Sequence, residues 1–272
     1  MKRLAGVMIP LVAMVAGGCS GAGIVNKDES KDIKKVAIVS LYSNRTIYHN
    51  KAQGESAGMF GALAAITEIS KNGLKGYEGL TLKDDRLIGG FMDVWSQELS
   101  KVNGWTIVPY SEFRDTQPFK DFIAKAPGTV GYRPINENVE KDFISPTGMK
   151  PYVYAYSDDT AARDLLKNLA RSLKVDAVAV IGLDMFYKVS TGVGIIGTAV
   201  AASIADVRVV TKNGGYAVAT PEHKQGEGIW ETSDKSIPMA GGLAYSPELE
   251  QMLKEAQAKL AAYYRTEISK DL

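Results

Sequence analysis

The sequence predicts an α/β fold, a sandwich of a mixed sheet with helices packed on it. Three observations lead there. "KKVAIVSLY" carries an unbroken apolar run from Val36 to Val39, as a strand buried on both faces does. In "DRLIGGFMDVWSQELSKV" apolar residues recur three, four and seven positions apart, which is the period of a helix. "DVRVVTKNGGYAVAT" reads as a hairpin turning through Asn213-Gly214, a pair that two-residue turns favour. Strands and helices that alternate along one chain call for helices layered on a sheet.

The elements follow in order. After the first strand and the polar loop "SNRTIYHN", the segment "AGMFGALAAITEI" keeps Met59, Leu63 and Ile66 on one helical face, with Ala62 and Ile69 beside them. The next helix presents Leu87, Phe91, Val94, Trp95 and Val102, and Asn103-Gly104 stops it because both residues tolerate the left-handed conformation. "WTIVPY" is a strand. From 113 to 157 the period fades, and Pro118, Pro127, Pro134, Pro146 and Pro151 mark a loop-rich insertion, in which functional loops are common. "SDDTAARDLLKNLARSL" restores a helical stripe through Ala162, Leu165, Leu166, Leu169 and Leu173, with Ser157, Asp158 or Asp159 as its cap. "KVDAVAVIGL" is a strand, the hairpin follows, and a long amphipathic helix through Leu249, Met252, Leu253, Leu260 and Tyr264 closes a single domain over 34–265, with 266–272 as a tail.

The amino-terminal end speaks to location. Lys2 and Arg3, a short apolar run from Leu4 to Ala16 and small residues up to Cys19 describe a secretory signal peptide over 1–18, too short to span a bilayer. "AGGC" resembles the lipobox of a bacterial lipoprotein, although Ala16 stands where that class carries a larger aliphatic residue. The resemblance implies that Cys19 is the lipid-modified first residue, and Ser20 after it implies the outer membrane, with the protein facing the periplasm. Two or three acyl chains make such an anchor close to permanent. Residues 19–33, small, polar and charged, read as a flexible tether. Cys19 is the only cysteine, so no internal disulfide is available. Losing the signal removes two of 32 Lys and Arg and none of 31 Asp and Glu, a balance that gives no electrostatic case for nucleic acid.

Several motifs invite catalytic readings. "GESAG" places Ser56 in Gly-x-Ser-x-Gly, and Asp184 or Asp206 and then His223 follow in hydrolase order. A nucleophile elbow needs a strand running into the serine, and the first strand ends about eleven residues too early. Ser56 therefore reads as part of a close-packed helix start, and a hydrolase using it is the lesser alternative. "GVGIIG", Gly192 to Gly197, matches the dinucleotide fingerprint in letters, but "TAVAASIADVRVV" after it reads as a strand and not as a phosphate-binding helix. The ten residues 193–202 carry no charge, so an exposed position would suggest contact with a membrane or a subunit. Neither His49 nor His223 has a helical His partner, and no metal or cofactor is expected. Asp84-Asp85 and Asp158-Asp159 read as helix caps. Ser43, Asn44 and Arg45 follow the first strand, where open α/β sheets bind ligands, and are the best small-ligand candidates.

The order of elements, on a lipoprotein, resembles the envelope domain shared by the amino-terminal domain of TolB, the curli secretion lipoprotein, the penicillin-binding-protein activator lipoproteins and the Pel exopolysaccharide lipoprotein. "KKVAIVSLY", "NGWTIVPY", "KVDAVAVIGL" and "VRVVTKNGGYAVAT" carry that likeness. It implies a non-catalytic part in assembly, secretion or regulation of an envelope partner, often as an oligomer, with no catalytic residue to map. An anchored small-ligand binder is the alternative.

Overall fold

Val36 to Asn44 are buried without interruption because the strand they form has a strand on each side and helices above and below. The computed structural model describes residues 25–49, 80–102, 104–125, 143–152, 160–193, 196–220, 230–240 and 245–272. In it β1 (Lys35–Asn44) lies between β4 (Thr106–Val108) and β6 (Ala177–Val193), parallel to both. β6 then pairs antiparallel with β7 (Ile196–Thr211) from Ala177↔Thr211 to Val193↔Ile196. β2 (Thr46–His49) continues beside β6 where β1 leaves it, and pairs in turn with β3 (Leu80–Thr81). β5 (Phe143–Ile144) covers the end of β1. β8 (Tyr216–Ala219), β9 (Trp230–Thr232) and β10 (Ile237–Ala240) line up along the outer edge of β7. The result is one large mixed sheet with helices packed on it, the expected fold class.

Strand parity assigns the helices to faces. Ser203 bonds to Gln257 of α6 (Pro247–Asp271), whereas the ring of Tyr216, opposite Val210, lies under Arg163 of α5 (Thr160–Ser172). Positions 203 and 210 of one strand point to opposite faces, so α5 covers one face and α6 the other. α2 (Arg86–Leu99) lies beside α6, and Trp95 Nε1 donates to Gln257 Oε1 at 3.0 Å in the core. Ser246 caps α6 by accepting from Leu249 N, and Pro247 opens it where its missing N–H is harmless.

Three expected boundaries are corrected. Residues 25–33 are not free tether: Val25 bridges to Val218, Asn26 N donates to Ala217 O at 2.9 Å, and the short α1 (Lys27–Ser30) follows. Ser30 and Ile33 are buried there, Ser30 Oγ bonding both Asn26 O and Ala217 O. The expected insertion is not loop throughout either. α3 (Tyr110–Phe113) and α4 (Gln117–Lys125) bury Phe113, Phe119 and Phe122, and Phe143, Ile144, Met149 and Tyr152 also join the core. Finally, α6 continues beyond 265 because Ile268 is fully buried, so the expected tail is helix. The expected helix at 59–69 lies outside the described residues.

A chain that begins at residue 34 should melt about 10 °C below one that begins at residue 25, since it loses the buried Ile33 and the Ser30 bonds, about 3 kcal/mol together. Thermal denaturation followed by circular dichroism measures this, and equal melting temperatures would restore the tether reading of residues 25–33.

Candidate functional site

Where β1 ends, the sheet needs help. The β1–β6 pairing stops at Ser43↔Leu183 and resumes in β2 at Tyr48↔Phe186, which leaves the backbone of Met185 without a strand beside it. The Asn44 side chain fills the gap: Met185 N donates to Asn44 Oδ1 at 2.7 Å, and Asn44 Nδ2 donates to Met185 O at 2.8 Å. The amide thus imitates a missing peptide unit. Ser43 Oγ donates to the same Oδ1 at 3.0 Å, and both residues are buried. Of the three ligand candidates, Ser43 and Asn44 are committed to the sheet, and only Arg45 borders open space.

That space is a cleft of about 290 Å³ at the carboxyl end of β1. Phe143, Ile144, Met149 and Pro151 give it apolar walls, and Arg45, Lys83, Asp84 and Asp85 form its polar side. Arg45 Nη2 donates to Phe143 O at 3.3 Å, which ties the guanidinium to the β5 wall. Asp84 accepts from Arg86 N and from Arg86 Nε at 3.1 Å, and from Nη2 at 2.9 Å; these bonds hold its carboxyl below the usual range. Asp85 occupies the N-cap position of α2, yet its carboxylate accepts from Thr147 and not from the helix amides. Capping therefore explains Asp84, through Arg86 N, better than Asp85. The wall from Pro146 to Met149 turns through Gly148, whose φ of +84° and whose approach to the Tyr110 hydroxyl both suit glycine.

A second group of polar residues sits inside the sheet. Gly182 opposes Asp206, Asp184 opposes Ile204 and Val180 opposes Arg208, so Asp184, Asp206 and Arg208 share one face of the β6–β7 ladder. All three are buried; Asp206 and Arg208 form an ion pair at 3.5 Å. Burial pushes the Asp184 carboxyl up to about 7. These are the two aspartates that stand in hydrolase order after Ser56. The structure brings them together, while Ser56 and His223 lie outside the described residues, as do Cys19, Asp158 and Asp159. His49 is in β2.

"GVGIIG" joins β6 to β7: Gly192 and Val193 pair with Gly197 and Ile196. A strand follows the glycines, so no phosphate-binding helix opens on them. Within the uncharged stretch, Ala199, Ala201 and Ala202 are buried in the sheet, while Thr198 and Val200 are half-buried. Among the described residues no three His, Cys, Asp or Glu side chains gather as a metal site. No protein-family model matches the chain, and no curated protein does.

Two outcomes follow. Asn44→Ala should cost about 2–4 kcal/mol in denaturant unfolding, because it strands a buried donor and acceptor of Met185; a loss under 1 kcal/mol would mean the amide is dispensable to the sheet. For Asp184 the folded carboxyl holds its proton to higher pH than the unfolded one, so its contribution is greatest at acid pH. It is lost as pH rises from about 4 through about 7. Asp184→Asn should therefore gain about 2–4 kcal/mol over the wild type at pH 8 and little at pH 4, each tenfold change in proton affinity being worth about 1.4 kcal/mol. A pH-independent difference would place the carboxyl in contact with water.

Proposed function

We propose that this chain is a membrane-anchored, non-catalytic envelope protein of the bacterial outer membrane, facing the periplasm and acting in assembly, secretion or regulation of a partner complex. The observation that carries the reading is the leader with "AGGC" and a following serine, which makes Cys19 the lipidation site. The TolB-like and curli-secretion-like order of elements supports the class of role. No helix among the described residues is long and apolar enough to cross a membrane, and a lipid on Cys19 would supply the attachment instead.

The fold gives this reading a geometry. Val25 is pinned beside Val218, six residues after Cys19, so an anchored domain is held within about 22 Å of the bilayer at that point. Val218 opposes Val209, and from there β7 runs back thirteen residues to Ile196. At about 3.4 Å per residue the hairpin end lies roughly 40 Å from the anchored edge. The proposed role makes the Val193 and Ile196 end of the ladder the first place to look for a partner subunit.

Membrane fractionation of wild type and Cys19→Ala tests the anchor: the wild type should pellet with membranes and the variant should not. If the variant still pellets, the lipid reading is wrong. Light scattering on the detergent-extracted chain tests the role. A mass several times that of the chain supports assembly, and a monomer removes self-assembly and leaves regulation of a separate partner.

A further inference from the structure

We propose that residues 25–33 form a releasable guard on the outer edge of β8, and that the edge they cover pairs with the same edge of a second copy once they lift. The inference does not depend on the lipid anchor.

β8 is an edge that needs covering. It pairs with β7 on one side, and on the other, among the described residues, its pairing is the Val25–Val218 bridge alone. Its sequence, Tyr-Ala-Val-Ala, holds neither charge nor proline, two of the devices with which edge strands resist a further strand. Val209 opposes Val218 and Val210 opposes Tyr216, so Ala217 is the extra residue of a bulge. Its carbonyl is left to the outer side, where Asn26 N and Ser30 Oγ both donate to it, at 2.9 and 3.0 Å. Beside it Thr211 Oγ1 donates to Glu29 Oε2 at 3.0 Å, and Gly215 leaves room for the Glu29 carboxylate because it has no side chain to collide with it.

The guard is held lightly. Asn26, Lys27, Asp28, Lys31 and Asp32 are exposed, and only Ser30 and Ile33 of the segment are fully buried. A segment with so little apolar burial opens locally at far less cost than the sheet does. The occupant of the bared edge is a second copy, because every copy carries the same four residues. Two antiparallel edges related by a two-fold axis present matching donors and acceptors to each other.

Light scattering on the purified full-length chain in detergent, at several concentrations, tests this. Removing both donors, by Asn26→Pro with Ser30→Ala, should raise the mass with concentration to twice that of the wild type. Trypsin should cut the same variant after Lys27 and Lys31 roughly tenfold faster, the loss of about one hydrogen bond. Ala219→Pro added to it should restore the wild-type mass. Thr220 N donates inward to Val207 O at 3.0 Å, so the N–H of Ala219 faces outward, and proline removes it. Ser30→Ala alone leaves the backbone unchanged and should show the same rise at higher concentration, which decides the matter if the proline variant misfolds. The proposal is overturned if the released variants keep the wild-type mass, if they are cut no faster, or if their association survives Ala219→Pro.

Discussion

Every layer of this fold hangs on the β6–β7 ladder. β6 alone has 17 residues, several times the length of most of its neighbours. One edge of the ladder receives β1 and then β2 in succession; the other receives β8, β9 and β10. None of these shorter strands could make a stable sheet alone, because pairs of strands without a shared apolar face are marginal in water. The ladder also fixes β1, since the Asp176 carboxylate before β6 accepts from Lys34 N and Lys35 N while Lys212 Nζ approaches it at 2.7 Å. Desolvation opposes ionisation of that carboxyl, but its bonds to Lys212 and the two amides outweigh it and keep its affinity for protons low.

The two faces of the ladder are built on different physics. Under α6, polar groups are satisfied as a chain: Trp95 donates to Gln257, Gln257 to Ser203, and Ser203 Oγ to Asp184 O at 3.2 Å. Tyr264 Oη extends the pattern, bonding Ala205 O at 2.8 Å and Thr220 Oγ1 at 2.9 Å. Such a network specifies how α6 and α2 register on the sheet, because a shifted helix would leave buried donors without acceptors. On the opposite face the same strands carry Asp184, Asp206 and Arg208. Burying an ion pair seldom adds net stability, and the raised Asp184 carboxyl stands close by. The ladder therefore holds its shape from the α6 side and carries its electrostatic cost on the other.

Periodicity made most of the frame legible. The stripes of α2, α5 and α6 and the apolar run of β1 are one-dimensional patterns, and they bury most of the residues that the patterns mark, with Val94, Leu165 and Leu173 only half-buried. What periodicity missed has physical reasons. Residues 25–33 attach through backbone bonds and one serine hydroxyl, which leave little hydrophobic signal. Pro118 read as a loop marker, yet it lies in the first turn of α4, where its missing N–H has no helical acceptor to lose. β9 and β10 are too short for a pattern to develop. The cleft was half legible: Arg45 was marked by its position after a strand. Lys83, Ser145 and Met149 come from segments distant in sequence, and no local pattern joins them. Asn44 was marked for the same reason as Arg45, but its amide closes the sheet instead of meeting a ligand.

The level of each feature along the ladder orders the molecule. Val25 joins beside Val218 and Val209, low on the ladder, where β6 begins at Ala177 and Ala179. The cleft lies beyond Ser43, which pairs with Leu183, a few residues farther along β6; the connection between β6 and β7 lies at Val193 and Ile196, farther still. With the proposed lipid on Cys19, the tether therefore joins the domain near the end of the ladder opposite the β6–β7 connection. Arg45, which lines the cleft, is one residue from the Asn44 amide that holds Met185, and so adjoins the junction between β1 and the outer half of the ladder. That junction matters to the hairpin because, among the described residues, β1 has no pairing with β6 beyond Leu183 and β2 takes up the edge again only at Phe186.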